Sequence, residues 1–294
     1  MNFLPPALRG PAWMLATTAT YVSNDAIMKL VLQALPPMES LAIRGVFGVA
    51  LCLPIVLFLG YGRDLGKLFN RWVILRCAFE LAAVMCFMTA LARMHLPDLT
   101  ALSQMTPLFV LLGTATIMRE RIGTRKLMLI SLGFAGAMMV AQPGGGGSPY
   151  ALLALANSIF AASRDITGRK VPADVPAWIV TLATLLIVLV GASVVSALTE
   201  QWVTPEPGQF AMLLAAALLL TIGHFCIFTA YRVGIASSVA PFQYMSSVWA
   251  VLLGALLFNH IPNALAACGI AFILASGVAI VLLDNRRRRK LAAA

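Results

Sequence analysis

Ten apolar runs of about 20 residues, joined mostly by short links, constrain this chain more than any motif in it. They cover approximately 11–32, 38–59, 71–92, 97–117, 124–142, 150–168, 176–198, 209–231, 238–258 and 263–283. As a helix, a run of that length crosses the roughly 30 Å hydrocarbon core of a bilayer. Backbone groups in lipid must find partners within their own segment or in a closed barrel, and runs without period-2 alternation mean helices. The links leave no room for a soluble domain. Composition agrees: 11% of the residues are charged, where a soluble domain has about a quarter. The expected fold class is all-α and polytopic, with ten transmembrane helices. Met1 to Gly10 is too short and too weakly basic for a cleavable signal, so the first run is expected to remain a helix.

The basic residues fall on one side of this arrangement. That side receives Arg9, Arg63, Lys67, Arg71, Arg119, Arg121, Arg125, Lys126, Arg169, Lys170, Arg232 and the tail Arg286 to Lys290, whereas the opposite loops carry only Arg93. The positive-inside rule then puts both termini in the cytoplasm, as an even number of spans requires. The net charge of +10 follows from topology and anionic lipid, and nucleic acid need not be invoked. Cys52, Cys77, Cys86, Cys226 and Cys268 lie in apolar runs without CxxC spacing, so they read as small apolar fillers.

The chain repeats itself. A shift of 140 residues aligns Thr18 with Ser158, Ser23 with Ser163, Asp25 with Asp165, Lys29 with Arg169 and Met105 with Met245. The halves, 1–142 and 150–283, meet at the Gly-rich connector 143–149, and 284–294 is a basic tail. Each half holds five spans, and an odd number makes the second enter from the opposite side. The expected architecture is two inverted five-helix repeats, a plan used by secondary transporters.

Inversion sets the repeated charges at opposite depths. Asp25 and Lys29 belong to the outer third of the first span, beside Asn24, and Asp165 and Arg169 to the inner third of the sixth. Thr18, Tyr21, Asp25 and Lys29 share one helix face, as do Ser158, Ala161, Asp165 and Arg169. Two readings stand: each pair neutralises itself locally at spacing i,i+4, or each borders a pathway and helps close it.

Motifs along the chain resemble a known family. "PPMESLAIRGVFG" with Arg44, and "ALARMHLPDLTALSQMTPLFVLLGTATIMRER" with Pro107, Gly113 and Glu120, resemble the EamA-type branch of the drug/metabolite transporter superfamily. The second half departs from the pattern, with Ser247 where the first has Pro107, Asn259 and His260 where it has Glu120, and no counterpart of Arg44. The resemblance implies export of small metabolites through a central cavity, with amino acids, aromatic ones above all, as the nearest substrate class.

Other residues suggest the pathway itself. Glu80 sits near the middle of the third run with Arg76 one turn before it, so it is either a local ion pair or a titratable group on the cavity. His224 is the only histidine well inside a run, and it serves either a neighbouring helix or proton coupling. Pro107 frees the carbonyl of Ser103 beside Gln104, where a helix can bend around a cavity. Gln104, Asn157, Gln243 and Tyr244 suit a zwitterionic substrate, and Phe87, Phe225, Phe228 and Trp249 an apolar wall. Paired small residues such as Gly45 and Gly48, Gly133 and Gly136, and Gly269 and Gly277 are expected at close helix contacts. Trp13, Trp72, Trp178 and Trp202 end spans, as an interfacial belt does.

HExxH, GxSxG and a histidine pair on one helix face are absent from the sequence, so enzyme chemistry, a metal and a cofactor are not expected. An exporter of other metabolites or drugs, or a facilitative channel, remains the alternative. The expectation is a multi-pass protein of the bacterial inner membrane that exports neutral metabolites by alternating access, with the lipid bilayer and a small-molecule substrate as partners and oligomeric state open.

Overall fold

A computed structural model describes residues 6–118, 124–142, 148–233 and 239–292. Among these residues the regular structure is helical. The helices are α1 (Pro6–Val31), α2 (Pro37–Phe58), α3 (Arg71–Arg93), α4 (Leu96–Ser103), α5 (Thr106–Met118), α6 (Thr124–Ala141), α7 (Ala151–Gly168), α8 (Ala177–Thr199), α9 (Pro207–Val233), α10 (Met245–Phe258) and α11 (Ala264–Ala292). A 3₁₀ helix, Tyr61–Phe69, precedes α3, and a 3₁₀ turn, Ala240–Tyr244, leads into α10.

Among the described residues, four stretches are long and apolar enough to cross a membrane by themselves: Pro37–Phe58, Arg71–Arg93, Ala177–Thr199 and Pro207–Ile227. The fourth expected span is not one helix but two, α4 and α5, and the ninth starts as a 3₁₀ turn. Of the Gly-rich connector, residues 143–147 lie outside the described residues, as do Arg119, Glu120 and Arg121.

The bundle is apolar on the outside as well as within. Phe58 is 92% exposed and Leu198 79%, a surface that water would penalise and lipid tails accept. The core includes Leu41, Met88, Leu91, Leu99, Leu102 and Met105, all buried. Cys52, Cys77 and Cys226 are buried free thiols, whereas Cys268 is exposed on the apolar exterior.

Helices pair across the chain: α1 with α9, α3 with α7, α2 with α8, and α6 with α11. Glycines set how closely some of these approach. A Cβ on Gly136 of α6 would meet the carbonyl oxygen of Gly269 of α11, and one on Gly269 would meet that of Gly136. Gly45 and Gly48 of α2 admit Leu189 and Leu185 of α8.

Polar side chains fasten α2 to α8 at both ends. At one end the carboxylate of Glu200, which caps α8, accepts the N–H groups of Met38 and Glu39 at 2.9 Å each. An anion is well placed there, because the first turn of α2 offers unpaired donors and the positive end of the helix dipole. Glu39 in turn accepts the Val203 N–H at 3.0 Å. At the other end Lys67 bridges Asp64 at 2.9 Å and Asp174 at 3.0 Å. This second end, where Arg71 and Lys170 also lie over the ring of Trp72, is called the basic end below.

Candidate functional site

The interior breaks where Pro107 lacks an N–H. Helix α4 stops at Ser103 and α5 begins at Thr106. The freed carbonyl of Ser103 accepts the Thr106 hydroxyl at 2.8 Å. Neighbouring segments hold the rest of the break: Asn157 of α7 donates to the Ser103 hydroxyl at 3.1 Å, and the Ser158 hydroxyl donates to the Leu102 carbonyl at 2.9 Å. From the break itself, the Gln104 amide donates to the Gln243 carbonyl at 3.2 Å and contacts the Ser246 hydroxyl. Broken helices at membrane depth are tolerated where other protein groups satisfy them, and these hydrogen bonds do so.

A cavity of about 500 Å³ opens beside this break and the 3₁₀ turn that leads into α10. Tyr21, Thr18, Gln104, Gln243 and Ser246 line it, together with Arg164 and Asp165 of α7 and Arg169, which caps that helix. A second cavity, of about 460 Å³, lies at the opposite end between Asp98, Tyr150, His260 and Asn263.

The charges find partners other than those at i,i+4. Glu80 pairs with Arg164 of α7, Nη1 to Oε2 at 2.6 Å, while Arg76 donates to Thr184 of α8 at 3.0 Å. Asp165 pairs with Arg164, its chain neighbour, at 2.8 Å, and Arg169 lines the cavity. Arg164 therefore joins two carboxylates from different helices, and sequence reading had not singled it out. Its signals in the sequence are its place inside an apolar run, where a charge needs a partner, and beside Asp165.

Asp25 and Lys29 also separate. Asp25 accepts from the Asn24 amide at 2.9 Å, and the buried Asn24 accepts from Arg44 at 3.2 Å. Lys29 donates to the Leu91 carbonyl at 2.9 Å and to that of Met94, and lies 5.7 Å from the ring centre of Phe258. It thus satisfies carbonyls at the C-terminus of α3, where a cation also suits the helix dipole. The local i,i+4 ion pair expected as one reading of Asp25 and Lys29 does not form, because these carbonyls lie within reach of the ammonium.

The uncharged candidates divide. Gln104 and Gln243 line the cavity. Trp249 stands behind Thr18, donating to its hydroxyl at 3.2 Å, and His224 stands behind Tyr21 with ring centres 5.7 Å apart. The Nδ1 of His224 lies 2.7 Å from the Leu220 carbonyl of its own helix. Phe87 packs on the main core, Phe225 lies edge-on to Trp13, and Tyr244 is buried against Gly277; the side chain of Phe228 lies outside the described residues.

An apolar-shelled helical bundle with a solute-sized polar cavity at broken helices defines the class: a polytopic membrane protein built to handle small molecules. The model of the EamA-like transporter family matches the chain twice, over residues 8–142 and 148–283, and the chain belongs to that family. It is 27% identical over 290 residues to the riboflavin transporter of Vibrio cholerae, covering 96% of each chain. It is 25% identical over 278 residues to the pseudopaline exporter CntI of Pseudomonas aeruginosa, covering 91% of this chain and 94% of that one. The S-adenosylmethionine uptake transporter of Rickettsia prowazekii is 23% identical over 287 residues, with 95% and 94% covered. A solved crystal structure matches with a TM-score of 0.65 at 18% identity, covering 95% of this chain and 99% of that one, a likeness of fold.

These findings support transport of a small metabolite across a membrane. They correct the narrower expectation of likeness to an aromatic amino acid exporter, since the relatives are named for riboflavin, pseudopaline and S-adenosylmethionine.

Proposed function

We propose that the protein carries a small neutral or zwitterionic metabolite across the bacterial inner membrane by opening its cavity alternately to the two sides. The observation that carries this is the cavity wall: amides at the α4–α5 break and at the 3₁₀ turn before α10 line the same cavity as Arg164, Asp165 and Arg169. Charges of both signs beside hydrogen-bonding amides match the two ends of a zwitterion. Neutral amino acids with apolar or aromatic side chains are the first class to test. Riboflavin-sized ring compounds are the second, favoured by the cavity volume and by what the Vibrio relative is named for. Outward movement rests on resemblance, and the relatives bear the names of both an exporter and an uptake transporter.

The architecture we infer is ten spans in two inverted repeats, 1–142 and 150–283, with α4 and α5 as one span. Packing supports it. Replacing each span by the one five further on turns the α1–α9 contact into α7–α3, α2–α9 into α8–α3, and α1–α10 into α7 with α4 and α5; it leaves the α2–α8, α6–α11 and α4–α10 contacts in place.

Gating follows from the two ends of that symmetry. Asp25 and Lys29 close the end opposite the basic end, with Lys29 tied to the Leu91 and Met94 carbonyls. Asp165 and Arg169 stand at the open mouth, where the Asp165 side chain is 44% exposed. Counterflow in proteoliposomes, with labelled neutral amino acids and riboflavin in parallel, tests the reading. Exchange of at least one is expected; transport of strongly anionic or cationic compounds alone would sink it.

A further inference from the structure

Outside the central cavity, three metal-ligating side chains meet where α4 begins and α10 ends. His95 is the N-cap of α4, and Asp98, three residues on, shares its first turn. His260 follows Asn259, which takes the left-handed conformation (φ 49°) that ends α10, and its N–H donates back to the Gly254 carbonyl at 3.0 Å. A Cβ on Gly254 would touch Pro97, so the start of α4 rests directly on α10. The two elements thus hold Asp98 and His260 in fixed relation, and His95, more exposed, completes the group.

The donor atoms are close, yet they do not satisfy one another. His95 Nδ1 and His260 Nε2 lie 3.7 and 3.8 Å from Asp98 Oδ2, too far for hydrogen bonds. Asp98 Oδ1 and His260 Nε2 are buried without a hydrogen-bond partner, and buried polar atoms are rarely left so. One donor atom from each residue lies within 4.8 Å of the others. Ligand atoms around a tetrahedral ion with bonds of 2.0–2.1 Å stand about 3.4 Å apart, so a shift of less than about 1.5 Å brings all three into range.

We propose that His95, Asp98 and His260 bind a divalent transition metal ion of the zinc class, with at least one coordination position open. Two imidazoles and a carboxylate are the donor set of three-ligand zinc sites. The imidazole rings now stack in parallel, 3.5 Å between centroids; coordination splays them, chiefly by rotation of His95. Bound metal clasps the start of α4 to the end of α10, two helices from different halves of the chain.

The test uses full-length, untagged, chelator-treated protein in detergent, titrated with Zn²⁺ by calorimetry, and with Co²⁺ read by its visible absorption. One equivalent is expected to bind, with ligand-field bands for Co²⁺ and a rise in Tm. Asp98→Asn, close to isosteric, should weaken binding at least about tenfold, since even outer-shell losses cost that much; His95→Gln with His260→Gln should abolish it while the protein stays monodisperse. Absence of saturable binding by the wild type, or equal binding by the double variant, would overturn the proposal.

Discussion

Arg164 holds two carboxylates at once, Glu80 from α3 and Asp165 beside it. Removing one partner of such a pair leaves a charge in a poor solvent, which costs about 3–5 kcal/mol when the pair is fully buried. About a quarter of each side chain is exposed, so Glu80→Gln should destabilise by less, about 2–3 kcal/mol. Glu80→Gln combined with Arg164→Gln should recover part of that loss. Reversible unfolding in mixed detergent micelles checks both; additive losses would show that the two residues do not couple. The gating pairs make a second prediction at this scale. Asp25→Asn can keep the hydrogen bond from Asn24 while losing its charge, and should favour access at its own end. Asp165→Asn should do the reverse, because a mirrored closing element biases the same two-state equilibrium oppositely. Reactivity of single cysteines near the two mouths measures this, and unchanged access and transport in both folded mutants would reduce the charges to structural neutralisers.

Among the elements, α6 and α11 approach closely at Gly136 and Gly269, where a Cβ on either glycine would meet the carbonyl oxygen of the other. Gly136→Val puts methyl groups against the Gly269 carbonyl and Phe272, and should cost about 1–3 kcal/mol as overpacking does. The expected outcome is a lower Tm; an unchanged Tm would mean that the helices separate freely. The link between α7 and α8 is tied to the 3₁₀ helix by Lys67, whose hydrogen bond is the main cause that holds the Asp174 carboxyl below its usual pKa. A depressed carboxylate contributes stability above its unfolded pKa and loses it as pH falls through the folded value. Lys67 is raised, chiefly by Asp64 and then Asp174, so its share persists below the ordinary lysine pKa and fades as pH rises past it. Unfolding followed from neutral pH into the carboxylate range should therefore fall less steeply in Asp174→Asn than in wild type. The effect is small, since the Asp174 side chain is 69% exposed.

At the scale of the whole molecule, the inverted-repeat reading sets residues 143–149 and the tail on opposite sides of the membrane, and the basic asymmetry of the loops predicts the connector in the periplasm and the tail in the cytoplasm. Single cysteines at Gly145 and Ala292 in a cysteine-free background should label oppositely with an impermeant thiol reagent. Labelling of Ala292 from outside intact cells would refute the topology. Replacing the native cysteines is feasible because all five are free thiols.

Apolar runs of membrane length made the helical, polytopic class legible in the sequence, because lipid allows the backbone few other solutions. Pro107 announced the break between α4 and α5 for an equally local reason, a missing N–H. Partnership was not local. Spacing i,i+4 suggested Asp25 with Lys29 and Arg76 with Glu80, but charges settle with whichever helix packs against them. Packing brought Arg164 to Glu80 across 84 residues of chain and Lys29 to the Met94 carbonyl across 65. His95 and His260 stand on no common helix face, so no sequence motif joined them; only the seating of α4 on α10 stacks their rings beside Asp98. Backbone solvation is a property of each segment and could be read one segment at a time, whereas the charge pairs, the cavity and the histidine cluster exist only once the helices pack.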